Sequence, residues 1–225
     1  MGGAEGISRR DWLAHCSLLA VAARVGVNAA HAAATATPVR RILVVGDSLS
    51  AEYGLARGSG WVALLEQRLQ RDKIAATVIN ASISGDTTSG GRTRLPALLA
   101  RHKPTHVIVE LGGNDALRGL PLAMTRDNLL AMLRAAHATG ARLLLLGMQL
   151  PPNYGRTYTQ DFAALYADVA KATEAALVPF MLAGVADSPK ADSLFQADRI
   201  HPNAQAHPII LANVWPVLQR QLLTR

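Results

Sequence analysis

Cysteine is almost absent from the sequence, which contains one, Cys16, in 225 residues. One cysteine cannot form an intramolecular disulfide, and it cannot supply the paired ligands of a cysteine-based zinc site. Cys16 also lies within the first 36 residues, which are predicted below to be a cleaved signal, so the mature chain is expected to lack a thiol nucleophile. A chain of this length can bury a core large enough to fold without disulfides.

Charged and aromatic residues are also few, at 17% and 4% of the sequence, whereas 50% of the residues are hydrophobic. A low share of charge is typical of a protein whose central sheet is deeply buried. The formal net charge is +7, but the lysines and arginines are scattered and form no basic run interleaved with aromatic residues. The sequence therefore predicts no nucleic-acid partner, and the chain is expected to be a monomer.

No hydrophobic run is long enough to span a bilayer, so no transmembrane helix is predicted. The N-terminus instead has the layout of a signal peptide: Arg9 and Arg10 precede a short apolar stretch, residues 16–23, and a small-x-small pattern follows at residues 34–36. We predict a signal peptide over residues 1–36, of the twin-arginine type, and an exported protein that is periplasmic or secreted. An ordinary secretory signal that contains two arginines is the alternative.

From residue 39 to residue 225, short apolar runs alternate with segments of helical periodicity. The predicted strands are residues 42–45, 75–81, 105–111, 142–148 and 178–182. The predicted helices are residues 60–71, 88–101, 122–139, 161–176 and 204–223. This alternation indicates a single α/β domain over residues 39–225, with a parallel sheet that has helices on both faces.

Polar side chains with no evident structural role are concentrated in four loops of this domain. The loops contain Gly-Asp-Ser-Leu at residues 46–49, Gly-Asp-Thr-Thr at 85–88, Gly-Gly-Asn-Asp at 112–115 and Asp-Arg-Ile-His-Pro at 198–202. Three of them follow predicted strands, and the fourth precedes the last predicted helix. Because the carboxyl ends of parallel strands meet at one edge of a sheet, we expect the four loops to converge there.

Together these loops contain the groups that acyl transfer requires. A serine hydroxyl is a weak nucleophile until a base removes its proton, and His201 can act as the base for Ser48. Asp198 would orient the imidazole and stabilise its charged form, since a spacing of three places two side chains on one side of a helical turn. The backbone N–H groups of Ser48 and Gly85 and the side-chain amide of Asn114 would stabilise the oxyanion.

Each motif alone has a simpler explanation, as a helix cap, a helix start or a turn. No Gly-x-Ser-x-Gly elbow surrounds Ser48, which argues against the common α/β-hydrolase arrangement. No His-Glu-x-x-His or Cys-x-x-Cys motif is present, so neither a metal nor another cofactor is expected. A non-catalytic flavodoxin-like module that binds phosphate or flavin is the alternative from another class, but such a module has no use for Asp198 and His201.

The four motifs resemble those of the SGNH (GDSL) hydrolases and, within that family, those of the bacterial periplasmic arylesterases and the multifunctional thioesterase/lysophospholipases. The resemblance covers residues 41–223 and implies a flavodoxin-like three-layer α/β/α fold with five parallel strands in the order 2-1-3-4-5. It implies Ser48 as the nucleophile, Asp198 and His201 as the rest of the triad, and Gly85 and Asn114 as oxyanion partners.

The same resemblance implies a serine esterase that works through an acyl-enzyme. Its implied substrates are aryl esters, short and medium acyl esters, acyl thioesters and lysophospholipids. A carbohydrate O-acetylesterase with the same triad is the rival interpretation among enzymes.

Two features near the predicted site have more than one interpretation. Six apolar residues are candidates to line an acyl groove, or else to anchor their loops: Leu117, Leu120, Pro121, Leu150, Pro151 and Tyr154. Glu52 occupies a position where the resembled family usually has glycine. Its carboxylate is expected either to face solvent, which is the interpretation we favour, or to disfavour anionic substrates.

Overall fold

A parallel sheet of five strands lies at the centre of the fold. The structure is a computed structural model that describes residues 40–223. The strands are β1 (Arg40–Gly46), β2 (Ala76–Asn80), β3 (His106–Glu110), β4 (Arg142–Leu146) and β5 (Ala176–Val178). Their order in the sheet is β2-β1-β3-β4-β5, so the predicted fold is confirmed. The predicted signal peptide, residues 1–36, lies outside the described residues.

Helices cover both faces of this sheet. The long ones are α1 (Trp61–Arg71), α2 (Thr88–His102), α4 (Leu122–His137), α5 (Arg156–Thr173) and α7 (His207–Leu223). The short ones are α3 (Gly113–Leu117), α6 (Ala191–Leu194) and a 3₁₀ turn at Pro152–Tyr154. Helices α1 and α7 pack together on one face, and α2, α4 and α5 pack on the other. None of the helices in the described part of the chain is long and apolar enough to cross a lipid bilayer.

Alternate side chains of each strand fill two separate cores. In β1, Ile42 and Val44 face α1 and α7, whereas Leu43 and Val45 face the other three long helices. Because both faces are covered, β1 is a continuous apolar run rather than an alternating one. Full burial of such a side chain stabilises the fold by about 1.5–3 kcal/mol, so the centre of the sheet is a rigid support for the loops at its edge.

The last strand lies earlier in the chain than predicted. Residues 178–182 were expected to form it, and that prediction is wrong: β5 is Ala176–Val178 and pairs with β4 through Leu144 to Leu146. The strand ends before Pro179, which has no N–H to donate to a sheet. The apolar residues that follow, Met181 among them, pack into the core beside α1 and α7 instead of extending the sheet.

Two helix starts also differ from the prediction. Helix α5 begins at Arg156, directly after Gly155, and α7 begins at His207 rather than at residue 204. In α7 the second residue is Pro208, which suits the first turn of a helix because no N–H is needed there. The short helix α3 was not predicted, because five residues are too few to show a periodic pattern.

Candidate active site

The loop after β1 places Ser48 at the carboxyl edge of the sheet. Strand β1 ends at Gly46, which pairs with Glu110 of β3. A β-carbon at Gly46 would lie 2.7 Å from Glu110 Oε2 and 2.8 Å from Ser50 Oγ, so a larger residue does not fit. The chain then turns sharply, and Asp47 O accepts the N–H of Ser50. This turn leaves Ser48 half-buried at the edge where the sequence predicts the site.

Ser48, His201 and Asp198 form an unbroken line of contacts. His201 Nε2 lies 2.9 Å from Ser48 Oγ, and His201 Nδ1 lies 2.7 Å from Asp198 Oδ2. The serine and the histidine are 153 positions apart in the chain, so only the fold brings them together. An ionised carboxylate has no hydrogen to give, so Nδ1–H donates to Asp198, and Nε2 offers its lone pair to the Ser48 hydroxyl.

The Asp198 carboxylate also shapes the loop that carries it. Its Oδ1 accepts the N–H of Ile200 at 2.9 Å and that of His201 at 3.0 Å. The pKa of Asp198 is lowered to about 2. The largest cause is the hydrogen bond from the His201 backbone N–H, and the next two are the bonds from the His201 ring and from the Ile200 N–H. The predicted helical turn is wrong, because this segment is a loop in which Arg199 has a φ of +57°. Two backbone N–H bonds to one carboxylate oxygen set the geometry instead.

An aromatic ring that sequence reasoning missed lies against His201. The ring centroids of Tyr53 and His201 are 4.3 Å apart, with 38° between the ring planes. The amide of Gln196 donates to Tyr53 O at 2.9 Å and to Pro202 O at 3.1 Å, which ties the Ser48 loop to the His201 loop. A lone tyrosine in a loop has no periodicity, so the sequence carries no signal that would have found it.

The backbone N–H groups of Ser48 and Gly85, in the loops at this edge of the sheet, are available to an anion. Among residues 40–223, the N–H groups of Ser48 and Gly85 have no hydrogen-bond partner. Gly85 has a φ of +77°, a conformation that favours glycine. Arg118 fixes this turn by donating to Gly85 O at 2.8 Å. Since most backbone N–H groups in folded proteins are paired, two unpaired ones beside a nucleophile can act as oxyanion donors.

The Asn114 amide lies between the loops that follow β1 and β2. Its Nδ2 donates to Asp47 Oδ2 and to Asp86 O, both at 3.0 Å. These bonds use both amide hydrogens and hold three loops together. The fold thus brings Asn114 into the predicted site, where it can serve as a third oxyanion donor by sharing one of these hydrogens.

Two buried carboxyl groups stand behind Ser48, and neither was predicted. Burial raises the pKa of Asp47 to about 6, although the N–H of Leu49, His201 and Asn114 favour its ionised form. Burial, and then the charge of Asp47, raises the pKa of Glu110 well above its ordinary value. A glutamate that ends a fully buried apolar strand is a signal in the sequence that could have identified this pair.

Arg94 of α2 is a further residue that sequence reasoning missed. Its guanidinium pairs with Asp86 at 2.8 Å and donates to Gly46 O at 3.3 Å and to Ala81 O. One side chain therefore joins the end of β1 to the loop that carries Gly85. The sequence gives no sign of this role, because an arginine on a helix is most often exposed to solvent.

The six groove candidates differ in their surroundings. The side chain of Leu150 packs against the core beneath α2, α4 and α5, which fits a loop anchor. Leu120 is half-buried. The others are exposed at the carboxyl edge: Leu117, Pro121, Pro151 and Tyr154. An acyl-binding role for these residues stays a prediction.

The Glu52 side chain has a structural role that was not expected. Its carboxylate accepts the N–H of Gly58 at 3.0 and 3.1 Å and that of Gly60 at 2.8 Å. Gly60 directly precedes α1 and has no side chain to cap that helix, so Glu52 provides the negative group that the helix N-terminus favours. The favoured interpretation of a solvent-facing carboxylate is therefore wrong.

Replacing Glu52 with alanine is expected to lower the free energy of unfolding by about 1–3 kcal/mol, because two backbone N–H groups lose a charged acceptor. Glu66→Ala, which removes an exposed glutamate from α1, is the control and should change this free energy by less than about 0.5 kcal/mol. Glu52→Gly should lose less than Glu52→Ala, since Glu52 has a φ of +58°. Urea unfolding measures all three variants, and equal stability of Glu52→Ala and Glu66→Ala would contradict the capping role.

Comparison with known proteins finds a family and several relatives. A family described as "GDSL-like Lipase/Acylhydrolase family" matches residues 44–209. Esterase TesA of Pseudomonas aeruginosa is 53% identical over 178 residues, which are 79% of this chain and 87% of that protein. Thioesterase 1/protease 1/lysophospholipase L1 of Escherichia coli is 44% identical over 169 residues, 75% of this chain and 78% of that protein. A crystal structure of TesA is similar at a TM-score of 0.78 and 52% identity, over 82% of this chain and 100% of that chain.

Proposed function

Because the chain belongs to the GDSL-like lipase/acylhydrolase family, we propose that it is a serine esterase in which Ser48 forms an acyl-enzyme. The predicted family and hydrolase class are confirmed by the matched range and by relatives at 44% and 53% identity. The observation that carries the residue roles is the line of contacts from Asp198 through His201 to Ser48, at 2.7 and 2.9 Å.

In the first half of the reaction, Ser48 Oγ attacks the acyl carbon while its proton passes to His201 Nε2. The imidazolium that forms is stabilised by Asp198, which is ionised over the whole neutral range because its pKa is lowered to about 2. When the tetrahedral intermediate collapses, His201 gives the proton to the leaving oxygen or sulfur as its bond to the acyl carbon breaks. Water then attacks the acyl-enzyme by the same route, with His201 again as base.

The reaction also requires that the negative charge of the tetrahedral intermediate be stabilised. The unpaired N–H groups of Ser48 and Gly85 supply two donors, and Asn114 supplies a third. Loss of one such donor typically lowers kcat by about 10²–10³-fold. Asp47 and Arg94 support the reaction indirectly, since Asp47 orients the Asn114 amide and Arg94 holds the Gly85 loop against the end of β1.

The substrates are proposed to be carboxylic esters with an apolar acyl group, including thioesters and lysophospholipids. The names of the relatives, an esterase and a thioesterase/lysophospholipase, support this range. Exposed apolar side chains such as Leu117 and Tyr154 at the same edge of the sheet suit an acyl chain. The same proposal includes three points that rest on the sequence. The protein is exported by means of its N-terminal 36 residues, it acts as a monomer, and it has no nucleic-acid partner.

A fluorophosphonate probe tests this function directly. The probe phosphonylates a serine only when a base and an oxyanion site activate it, so the protein should gain one adduct, which peptide mapping should locate at Ser48. Ser48→Ala should remain unlabelled, whereas the control Ser84→Ala, which changes an exposed serine in the loop after β2, should be labelled normally. No adduct, or an adduct on another serine, would overturn the proposal.

A further inference from the structure

The exposed large apolar side chains are gathered at one edge of the sheet. Within residues 40–223 they are 37–53% exposed and comprise Tyr53, Ile83, Leu117, Tyr154 and Ile200. Each lies in a different loop at the carboxyl edge: after β1, β2, β3 and β4, and between β5 and α7. Single exposed apolar residues are common, but their confinement to one edge of the described chain indicates a binding surface.

Four of these residues belong to the loops that build the catalytic site, and we call them the rim: Tyr53, Ile83, Leu117 and Ile200. The Tyr53 ring lies 4.3 Å from that of His201, and Ile200 directly precedes His201. The Ile83 N–H donates to Gly46 O at 3.0 Å, next to the Ser48 turn. Leu117 ends the short helix α3 that contains Asn114. A binding partner that contacts the rim therefore also lies over Ser48.

Three exposed arginines lie next to the rim, whereas the carboxylates there, of which Asp198 is itself exposed, all have partners within the protein. Every carboxylate within four positions of a rim residue has protein partners: Glu52 binds backbone N–H groups, Asp86 pairs with Arg94, Asp198 binds His201, and Asp115 is buried against Thr88. The arginines within the same distance are all exposed, namely Arg57, Arg118 and Arg199. An apolar surface bordered by guanidinium groups complements a layer of phosphate groups over acyl chains.

We propose that the rim docks on the surface of a phospholipid aggregate. Its apolar side chains would enter the interface, and the three neighbouring arginines would lie at the phosphates. This inference rests on the proposed function, because it names the physical state in which an acyl ester reaches Ser48. A second copy of the chain on the rim would close the approach to Ser48, whereas a lipid surface delivers substrate to it.

Sedimentation with vesicles tests the proposal. The full chain carrying Ser48→Ala, which binds lipid without hydrolysing it, is mixed with vesicles of phosphatidylglycerol and phosphatidylcholine at a ratio of 3:7, and with pure phosphatidylcholine vesicles. Rim variants are Ile83→Ser/Ile200→Ser and Arg57→Gln/Arg199→Gln. The control Arg71→Gln/Arg101→Gln removes equal charge at the opposite edge, where α1 and α2 end. Residues 1–39 are the same in every variant, so the differences report the rim.

The apolar double variant should bind both vesicle types at least about tenfold more weakly, since two interfacial side chains are lost. The arginine double variant should lose about tenfold or more on the anionic vesicles at low salt, and less on phosphatidylcholine. The control should stay within about twofold of its parent, because its charges lie far from the surface. Equal loss in the control, or no loss in either rim variant, would overturn the proposal.

The single rim-region substitutions Ile83→Ser and Arg57→Gln, with Ser48 intact, separate this proposal from the proposed function because neither residue belongs to the Asp198–His201 loop. Fluorophosphonate labelling and hydrolysis of dissolved 4-nitrophenyl acetate should be unchanged, whereas hydrolysis of lysophosphatidylcholine above its micelle concentration should fall about tenfold. Weaker hydrolysis of the dissolved ester with unchanged vesicle binding would overturn docking and make the rim a groove for single molecules. Rim-dependent vesicle binding without any labelling would support docking and overturn the esterase.

Discussion

Replacement of Ser48 by alanine is expected to lower kcat for ester hydrolysis by at least about 10⁴-fold, because no other hydroxyl within residues 40–223 bonds to His201 Nε2. The free energy of unfolding should change by less than about 1 kcal/mol, since the Ser48 side chain is half-buried and, in the described part of the chain, hydrogen-bonds to His201 alone. Steady-state kinetics with a soluble aryl ester, together with urea unfolding, measures both quantities.

Ser84→Ala is the matched control for this change, because it removes an exposed hydroxyl from a neighbouring loop. It should retain kcat within about twofold. If Ser48→Ala kept more than about one hundredth of the activity, a different nucleophile would have to be sought.

Replacement of Asp198 by asparagine is expected to lower kcat by roughly 10⁴-fold through the wrong histidine tautomer. Asp198 Oδ1 already accepts two backbone N–H groups, from Ile200 and His201. An asparagine at this position must keep its oxygen there, so its NH₂ would face His201 Nδ1. The imidazole hydrogen would then move to Nε2, where a base for Ser48 needs a lone pair.

Kinetics and NMR of the imidazole nitrogens test this second prediction together. The hydrogen should be found on Nδ1 in the unmodified protein and on Nε2 in Asp198→Asn, with little change in the unfolding free energy. Asp192→Asn, which neutralises an exposed carboxylate in the same long connection, should change neither quantity. Full activity of Asp198→Asn would show that orientation of the ring does not depend on this carboxylate.

The parts of the fold that the sequence predicted are those with a repeating local pattern. β1 to β4 are apolar runs between helical segments, and their ends place Ser48, Gly85 and Asn114 at one edge by geometry alone. β5 was misplaced because the apolar residues around Pro179 belong partly to a strand and partly to a core loop. Pattern alone does not distinguish the two when a strand has three residues.

The parts of the site that were missed depend on side chains that meet only after folding. Arg94 and Tyr53 contact partners in other segments of the chain, and their identities suggest nothing unusual in the sequence. Glu52 was singled out in the sequence, but its bonds to the N–H groups of Gly58 and Gly60 depend on the folded shape of its own loop. The Asp198–His201 pair was predicted for the wrong reason, since a loop with positive φ at Arg199 replaces the helical turn. Residue types and order thus revealed which groups meet, while the bonds that hold them required coordinates.

The 153 positions between Ser48 and His201 make hydrolysis a property of the finished chain. The loop after β1 contributes one reacting atom near the start of the domain, and the segment before α7 contributes another near its end. A polypeptide still emerging from the ribosome, or one trimmed so far that it lacks His201, would therefore be inert toward esters. For the same reason, the return of esterase activity after refolding is a stringent indicator that both halves of the domain have come together.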